Sequence, residues 1–203
     1  YSLGAARVLM PHVVAPMDTL MQQHTSWDVL ARHTQLVVAF GGMPARNAQI
    51  QAGGTGMHGL PAGLRAMAAA GVEFINISPA RDDLVTGGPV EWIPVRPHAD
   101  TAMMLGLAHT LASEGLHDRG FLERYCVGYA AFERYLLGHT DGQPKSAQWA
   151  ASLSDVPAER SSVQRTRRPR DRDLLVSEPL LVRADLVGGG AGRSLKRAYD
   201  AWL

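Results

Sequence analysis

Two mostly apolar runs separated by a helical segment constrain the fold of this chain most strongly. The runs are Gln35 to Phe40 and Val72 to Ile77. Near-continuous apolar residues over so short a stretch are typical of strands buried on both faces of a parallel sheet. Between them, Leu60 to Ala70 has helical character, with Pro61 in its first turn and Gly71 after its end. Strand, helix and strand within about forty residues predict a parallel βαβ unit.

The region after residue 90 continues this alternation. Glu91 to Val95 predicts a third strand, and Pro94 favours a strand end or sheet edge because proline donates no ladder hydrogen bond. Thr101 to Glu114 predicts a helix that Asp100 is placed to cap and Gly115 to end. Shorter helices are predicted over residues 118–126, 129–137 and 146–153. The fold class that follows is α/β, a doubly wound and mainly parallel sheet flanked by helices.

Composition places the chain among globular proteins. Of its 203 residues, 46% are hydrophobic and 19% charged, and no apolar run approaches the ~18 residues of a membrane span. A single cysteine, Cys126, excludes an internal disulfide, and we expect it to be a buried small residue in a helical stretch. Because Tyr1 is preceded by no initiator Met, we expect an internal segment of a larger multidomain protein.

The charge changes sign along the chain and suggests a boundary. Residues 160–203 contain ten Lys and Arg against five Asp and Glu, whereas residues 1–159 contain ten against fourteen. We therefore predict an α/β region over 1–159 and a basic, Arg- and Pro-rich tail over 160–203. The run Arg165 to Arg172 has no interleaved aromatic residues, so it favours a solvated or disordered segment over nucleic-acid binding.

Three polar loops follow the three predicted strands. They are Gly41 to Asn47, Ser78 to Asp82 and Arg96 to Asp100. In a doubly wound sheet, loops beyond the carboxyl ends of the strands bind the ligand. The glycines would let a ligand approach the backbone, Ser78 and Arg81 suit a phosphate or ribose, and Asp100 suits a purine edge. Each residue also has an ordinary structural alternative, as a turn glycine, a surface arginine or a helix cap.

Several separate motifs occur in a fixed order along residues 1–159. They are Tyr1–Val14, His24–Asp28, Phe40–Gln49, Arg96–Thr110 and Glu114–Asp118. In sequence and order they resemble the dimethyl sulfoxide reductase family of molybdenum enzymes. The Gly41-Gly42 pair and the segment Gly53–His58 are most similar to the biotin sulfoxide reductase branch of that family.

The resemblance implies a function and a set of site residues. Ser2 would be the catalytic serine whose side-chain oxygen binds molybdenum, as a hard ligand for an oxophilic metal. The cofactor would be molybdenum bis(molybdopterin guanine dinucleotide), with Asp100 recognising guanine. The remaining cofactor-binding residues implied are Phe40, Gly41, Gly42, Met43, Asn47, Ser78, Pro79, Arg81 and His98.

The reaction implied is reductive oxygen-atom transfer from a small-molecule S-oxide or N-oxide, with an electron donor as a further partner. No nucleic acid and no membrane span are expected, and the biotin sulfoxide reductase-like loops favour the cytoplasm over the periplasm. Family members are several times longer, so we expect the segment to be incomplete for activity on its own. The resemblance fades after Glu159, so we expect residues 160–203 to be an unrelated tail or the product of a displaced reading frame. The alternative is a catalytically inert nucleotide-binding α/β segment.

Overall fold

A four-stranded parallel sheet forms the centre of the protein. The computed structural model describes residues 4–13, 15–23, 25–48, 50–51, 54–55, 58–158 and 174–177. The sheet strands lie in the spatial order β5-β4-β1-β6, and a separate antiparallel pair is formed by β2 and β3. Their bounds are β1 Leu36–Phe40, β2 Ile50–Gln51, β3 Gly54–Thr55, β4 Glu73–Ile77, β5 Glu91–Ile93 and β6 Leu174–Ser177.

Eight α-helices are described, and those that we predicted lie within a residue or two of their expected bounds. Gly71 and Gly115 follow the fourth and fifth of them with positive φ, as expected of residues that end helices. The bounds are α1 Gly4–Val13, α2 Met17–Gln22, α3 Trp27–His33, α4 Gly59–Ala69, α5 Asp100–Ser113, α6 Arg119–Tyr125, α7 Tyr129–Leu136 and α8 Ala147–Ser154. Within the described residues, no helix is long and apolar enough to cross a membrane.

Strand β1 is buried along its whole length because helices cover both faces of the sheet. Leu36, Val38 and Phe40 belong to the core on one face, where α5 contributes Met103 and Leu107. The alternate residues of β1, Val37 and Ala39, join the opposite core, to which α3 and α4 contribute Leu30, Leu64 and Met67. Successive side chains of a strand point to opposite faces, so two apolar layers require a continuous apolar run. The doubly wound α/β prediction is confirmed.

The strand order places a topological switch at the carboxyl end of β1. The chain proceeds from β1 to β4 and then β5 on one side, whereas β6 pairs with β1 on the other side. In open α/β sheets the crevice at such a reversal is the usual place for a ligand. The loop that begins at Gly41 therefore occupies the most favourable position in this sheet for binding.

The prediction for Cys126 is wrong. Its side chain is exposed, and the residue follows α6 as its C-cap with extended backbone. Helices α6 and α7 are short, and residues 127 and 128 turn the chain between them. Cys126 therefore lies at a helix end, where the backbone leaves the packed face.

Candidate functional site at the carboxyl edge of the sheet

The three polar loops leave the sheet at the same edge. Phe40, Ile77 and Ile93 are neighbours in register across β1, β4 and β5, and each is the last residue of its strand. Two hydrogen bonds extend this alignment beyond the strands: Gly41 N–H donates to the Ile77 carbonyl at 2.8 Å, and Ser78 N–H donates to the Ile93 carbonyl at 3.2 Å. Parallel pairing thus makes the three loops leave the sheet at one edge, as the sequence predicted.

The first loop is a tight turn with a short helical end. Gly41 and Gly42 have φ of 79° and 75°, and a 3-10 turn follows over Ala45–Ala48. The Asn47 side chain is exposed at this edge, and Met43 is half-buried against the α3–α4 core. Phe40, in contrast, is only 3% exposed, because it packs in the core to which α5 contributes. It therefore supports the loop from the interior of the protein.

The second loop is held mostly by its own polar groups. The Ser78 hydroxyl is fully buried, donates to Asp83 Oδ2 at 2.8 Å and accepts from the Ala80 N–H at 3.2 Å. Asn76, on β4 beneath the loop, donates through Nδ2 to the Ala80 and Arg81 carbonyls, both at 3.2 Å. Ser78 is therefore a framework residue of the loop in this conformation.

The side chains of Pro79 and Arg81 are exposed at the same loop. Their position differs from that of Ser78, whose hydroxyl is already bonded within the chain. Of the three residues singled out in this loop, Arg81 offers charged N–H donors to a ligand at the surface.

Sequence reasoning missed Asp83, which connects the first and second loops. Its carboxylate accepts from the Ser78 hydroxyl and from the Arg46 guanidinium, each at 2.8 Å. Its backbone carbonyl accepts from the Met43 N–H at 2.6 Å. The adjacent Asp82 has the same side chain and is exposed. Nothing in the local sequence distinguishes the two aspartates, since the folded 3-10 turn over Arg81–Asp83 determines which one faces the first loop.

The third loop is tied to the end of α8. Arg96 N–H donates to the Ser154 carbonyl at 2.9 Å, its guanidinium donates to the Leu153 carbonyl, and its Nε lies 3.8 Å from Asp155. Arg96 thus positions the loop against a helix. His98 is exposed and has a left-handed backbone, with φ of 69°, a conformation uncommon for residues other than glycine.

The prediction that Asp100 caps α5 is wrong. The N-cap is Ala99, which makes no side-chain cap bond, and Asp100 is the first helical residue. Its carboxylate remains in the first turn, where the helix dipole favours a negative charge. Within the described part of the chain, no hydrogen bond occupies that half-buried carboxylate, so it is available to a ligand.

Ser2 lies outside the described residues. Among the residues that are described, no three His, Cys, Asp or Glu side chains come together as a metal-binding group. The proposed metal contact through Ser2 therefore stays a prediction.

The donor set at this edge suits an anionic purine nucleotide. Arg81 presents an exposed guanidinium, a group suited to phosphate oxygens, and Asn47 and His98 add exposed polar groups. The Asp100 carboxylate could accept from the N–H donors of a guanine. A guanine dinucleotide offers a diphosphate and such donors, and these residues fit both.

A second concave feature lies between α6 and α7. A groove of about 340 Å³ is lined by residues that include Arg119, Glu123, Cys126, Tyr129 and Glu133. Burial and the Glu133 carboxylate raise the pKa of the Tyr129 hydroxyl above its ordinary value. The groove combines charges of both signs, and no charge or shape in it selects one class of ligand.

No family model matches the chain. It is 42% identical over 159 residues to a trimethylamine-N-oxide reductase of Haemophilus influenzae, covering 78% of this chain and 19% of that protein. It is 39% identical over 184 residues to a biotin sulfoxide reductase of Cereibacter sphaeroides, covering 91% of this chain and 25% of the relative. A dimethyl sulfoxide/trimethylamine N-oxide reductase of Rhodobacter capsulatus is 42% identical over 159 residues, with coverage of 78% and 19%.

The chain thus spans about a fifth to a quarter of the length of these relatives. The similarity to the biotin sulfoxide reductase covers 91% of the chain, so it extends past residue 160, where the charge balance changes. For this relative, the sequence similarity therefore continues beyond the change in charge at residue 160.

Proposed function

The chain belongs to the family of dimethyl sulfoxide, trimethylamine N-oxide and biotin sulfoxide reductases, and on that premise we propose that it holds part of a molybdenum bis(molybdopterin guanine dinucleotide) cofactor. The observation that carries this proposal is that three polar loops leave one parallel sheet at its carboxyl edge. This edge combines the exposed Arg81 with the Asp100 carboxylate, which accepts no hydrogen bond from the residues that the structure describes.

The second and third loops have separate roles in this proposal. Arg81 pairs with a phosphate of the dinucleotide, and Asp100 accepts hydrogen bonds from the guanine base. Ser78 keeps the second loop in shape, as its buried hydroxyl suggests. The other residues of the binding surface are Gly41, Gly42, Met43, Asn47, Pro79 and His98, with Phe40 supporting the first loop from the core, and the metal ligand is Ser2.

The whole protein would be an enzyme that reduces a small S-oxide or N-oxide. When bound, the molybdenum cofactor supplies oxygen-atom transfer, with two electrons from a donor and two protons releasing the oxygen as water. The residues of this chain orient the cofactor through its nucleotide. The biotin sulfoxide reductase-like loops favour a cytoplasmic enzyme, and we propose no role for nucleic acid. Fractionation of cells that produce the complete protein tests the compartment.

The test of the cofactor site is nucleotide selectivity. We expect the chain to bind GDP more tightly than ADP by calorimetry, because adenine lacks the paired donors of the guanine edge. Asp100→Asn should remove at least roughly tenfold of that preference, in line with a charge-assisted hydrogen bond. Asp28→Asn is the matched control, since Asp28 is an exposed aspartate in the first turn of α3. Equal affinity for GDP and ADP would contradict the proposal.

A further inference from the structure

We propose that Asp83 is a positioning residue that joins the first and second loops into one binding surface, with Arg46 neutralising its charge. The inference rests on the proposed function, because it concerns the same nucleotide site. It assigns roles to two residues that the sequence patterns did not single out.

The contacts of Asp83 bridge two segments far apart in sequence. Two of its partners, Met43 and Arg46, belong to the first loop, and the third, Ser78, begins the second. Asp83 is only 9% exposed, so these bonds replace most of its contact with water. A buried carboxylate that loses its donors is strongly disfavoured. The two loops are therefore held in one relative position by a single side chain and its backbone carbonyl.

Charge neutralisation is the second part of this arrangement. An unpaired carboxylate beside the site would repel the diphosphate of a nucleotide. Arg46 lies 2.8 Å from Asp83 Oδ1, while 71% of its own side chain remains exposed. Its guanidinium therefore cancels the charge of Asp83 at the surface where the anion approaches.

Hydrogen–deuterium exchange of the full chain tests the coupling of the loops. Asp83→Ala should accelerate exchange in both loops, over residues 41–48 and 78–83, by about tenfold, as expected for loss of hydrogen bonds to a charged group. Asp82→Ala is the matched control and should leave both loops unchanged. The inference is overturned if Asp83→Ala affects only residues 78–83, or if Asp82→Ala has an equal effect. Should Asp83→Ala fail to fold, Asp83→Asn takes its place, with a smaller acceleration expected in both loops.

A double-mutant cycle on GDP affinity tests the neutralisation. Arg46→Gln should weaken GDP binding about tenfold, because it leaves the charge of Asp83 unpaired, and adding Asp83→Asn should restore the affinity to within about twofold of the unaltered chain. A double variant as weak as Arg46→Gln alone would mean that Arg46 binds the ligand directly, which overturns this part. If the unaltered chain binds no GDP, the proposed function fails, while the exchange experiment still decides whether Asp83 couples the loops.

Discussion

Gly42 lies so close to Asp83 that a Cβ on Gly42 would come within 2.4 Å of the Asp83 Cβ and 2.7 Å of its carbonyl oxygen. Contacts this short do not occur between real atoms, so the first loop can approach the second only with glycine at this position. The glycine therefore serves loop-to-loop packing, in addition to the positive φ that its turn requires.

Gly42→Ala should destabilise the protein more than Gly142→Ala. The two glycines have nearly equal φ, 75° and 73°, but a Cβ at Gly142 would meet nothing within 4 Å. The two substitutions therefore introduce the same backbone strain. The difference between their free energies of unfolding measures the clash with Asp83. We expect an additional loss of roughly 1–3 kcal/mol in the free energy of unfolding, the usual cost of overpacking. Urea denaturation measures it, and equal losses would show that the two loops do not pack as described.

A second matched pair tests the packing of α3 on α4. A Cβ on Gly63 would fall 2.1 Å from the Trp27 ring, whereas one on Gly59, in the same helix, would lie at an ordinary 3.6 Å. Gly63→Ala should therefore cost about 1–3 kcal/mol by displacing the indole. Gly59→Ala should change stability by less than about 0.5 kcal/mol. Thermal unfolding of both variants decides the point, and an equally stable Gly63→Ala protein would be the contrary result.

Lys145 holds the loop between α7 and α8, and its contribution should depend on pH. It is 2% exposed, and its ammonium donates to Asp141 Oδ2 and to the Gln143 carbonyl, each at 2.6 Å. The hydrogen bond from Lys145, followed by that from the Gln143 N–H, lowers the pKa of Asp141 below its ordinary value of 3.8. A lowered carboxyl pKa stabilises the fold above the unfolded value, and this contribution is lost as the pH falls through the folded value.

Asp141→Asn should accordingly lower the melting temperature near neutral pH. The gap to the unaltered protein should narrow as the pH falls below 3.8 and through the lowered pKa of the folded Asp141 carboxyl, because the unaltered side chain then becomes protonated as well. Asp82→Asn, an exposed aspartate for which no such bond is seen among the described residues, serves as the control. A gap that persists unchanged into acid would argue against the Lys145 contact as its cause.

Ser2 leads to a prediction about metal content. In the complete protein loaded with its cofactor, Ser2→Ala should change the electronic spectrum of the molybdenum centre and lower its molybdenum content, because an oxygen ligand is lost. Ser152→Ala removes a hydroxyl on the exposed side of α8 and should leave both properties unchanged. Identical spectra and metal content for Ser2→Ala and the unaltered protein would remove Ser2 from its proposed role.

The boundary predicted at residue 160 has a simple genetic test. If the tail arises from a displaced reading frame, translating the encoding DNA in another frame should restore a sequence similar to the family. Strand β6, Leu174–Ser177, lies in this tail and pairs with β1, and the similarity to the biotin sulfoxide reductase also extends into it. If neither alternative frame resembles the family more than the present one, the tail is in its native frame.

The sequence predicted three of the four strands of the sheet, β1, β4 and β5, and the five described helices from α4 to α8, because apolar periodicity is a local signal. Leu36 to Phe40 alternates between two cores, so its continuous apolar pattern follows directly from its position in the sheet. Pro94 likewise follows the last residue of β5, at the edge of the sheet, as the missing N–H of proline requires. Where the residues of a strand or helix themselves reflect its surroundings, the sequence alone is sufficient to predict that element.

The details of the site depended on contacts that no local pattern encodes. Asp83 is distinguished from Asp82 only by the folded conformation of the 3-10 turn that contains both, and the buried Ser78 hydroxyl bonds to Asp83 alone of the two. Aspartate is a residue type that often caps helices. Asp100 would be the N-cap if α5 began at residue 101, but the helix begins at Asp100 itself. Residue types therefore indicated where the site lies, whereas the partner of each side chain was determined by the tertiary fold.

The most direct measurement is the distance from the Asp100 carboxylate to the guanine of the bound cofactor in an experimental structure of the complete, cofactor-loaded protein. We predict a carboxylate oxygen at about 3 Å from guanine N1 or N2, the length of a hydrogen bond. A guanine bound well away from Asp100 and from the loops after β1 and β4 would contradict the proposed site.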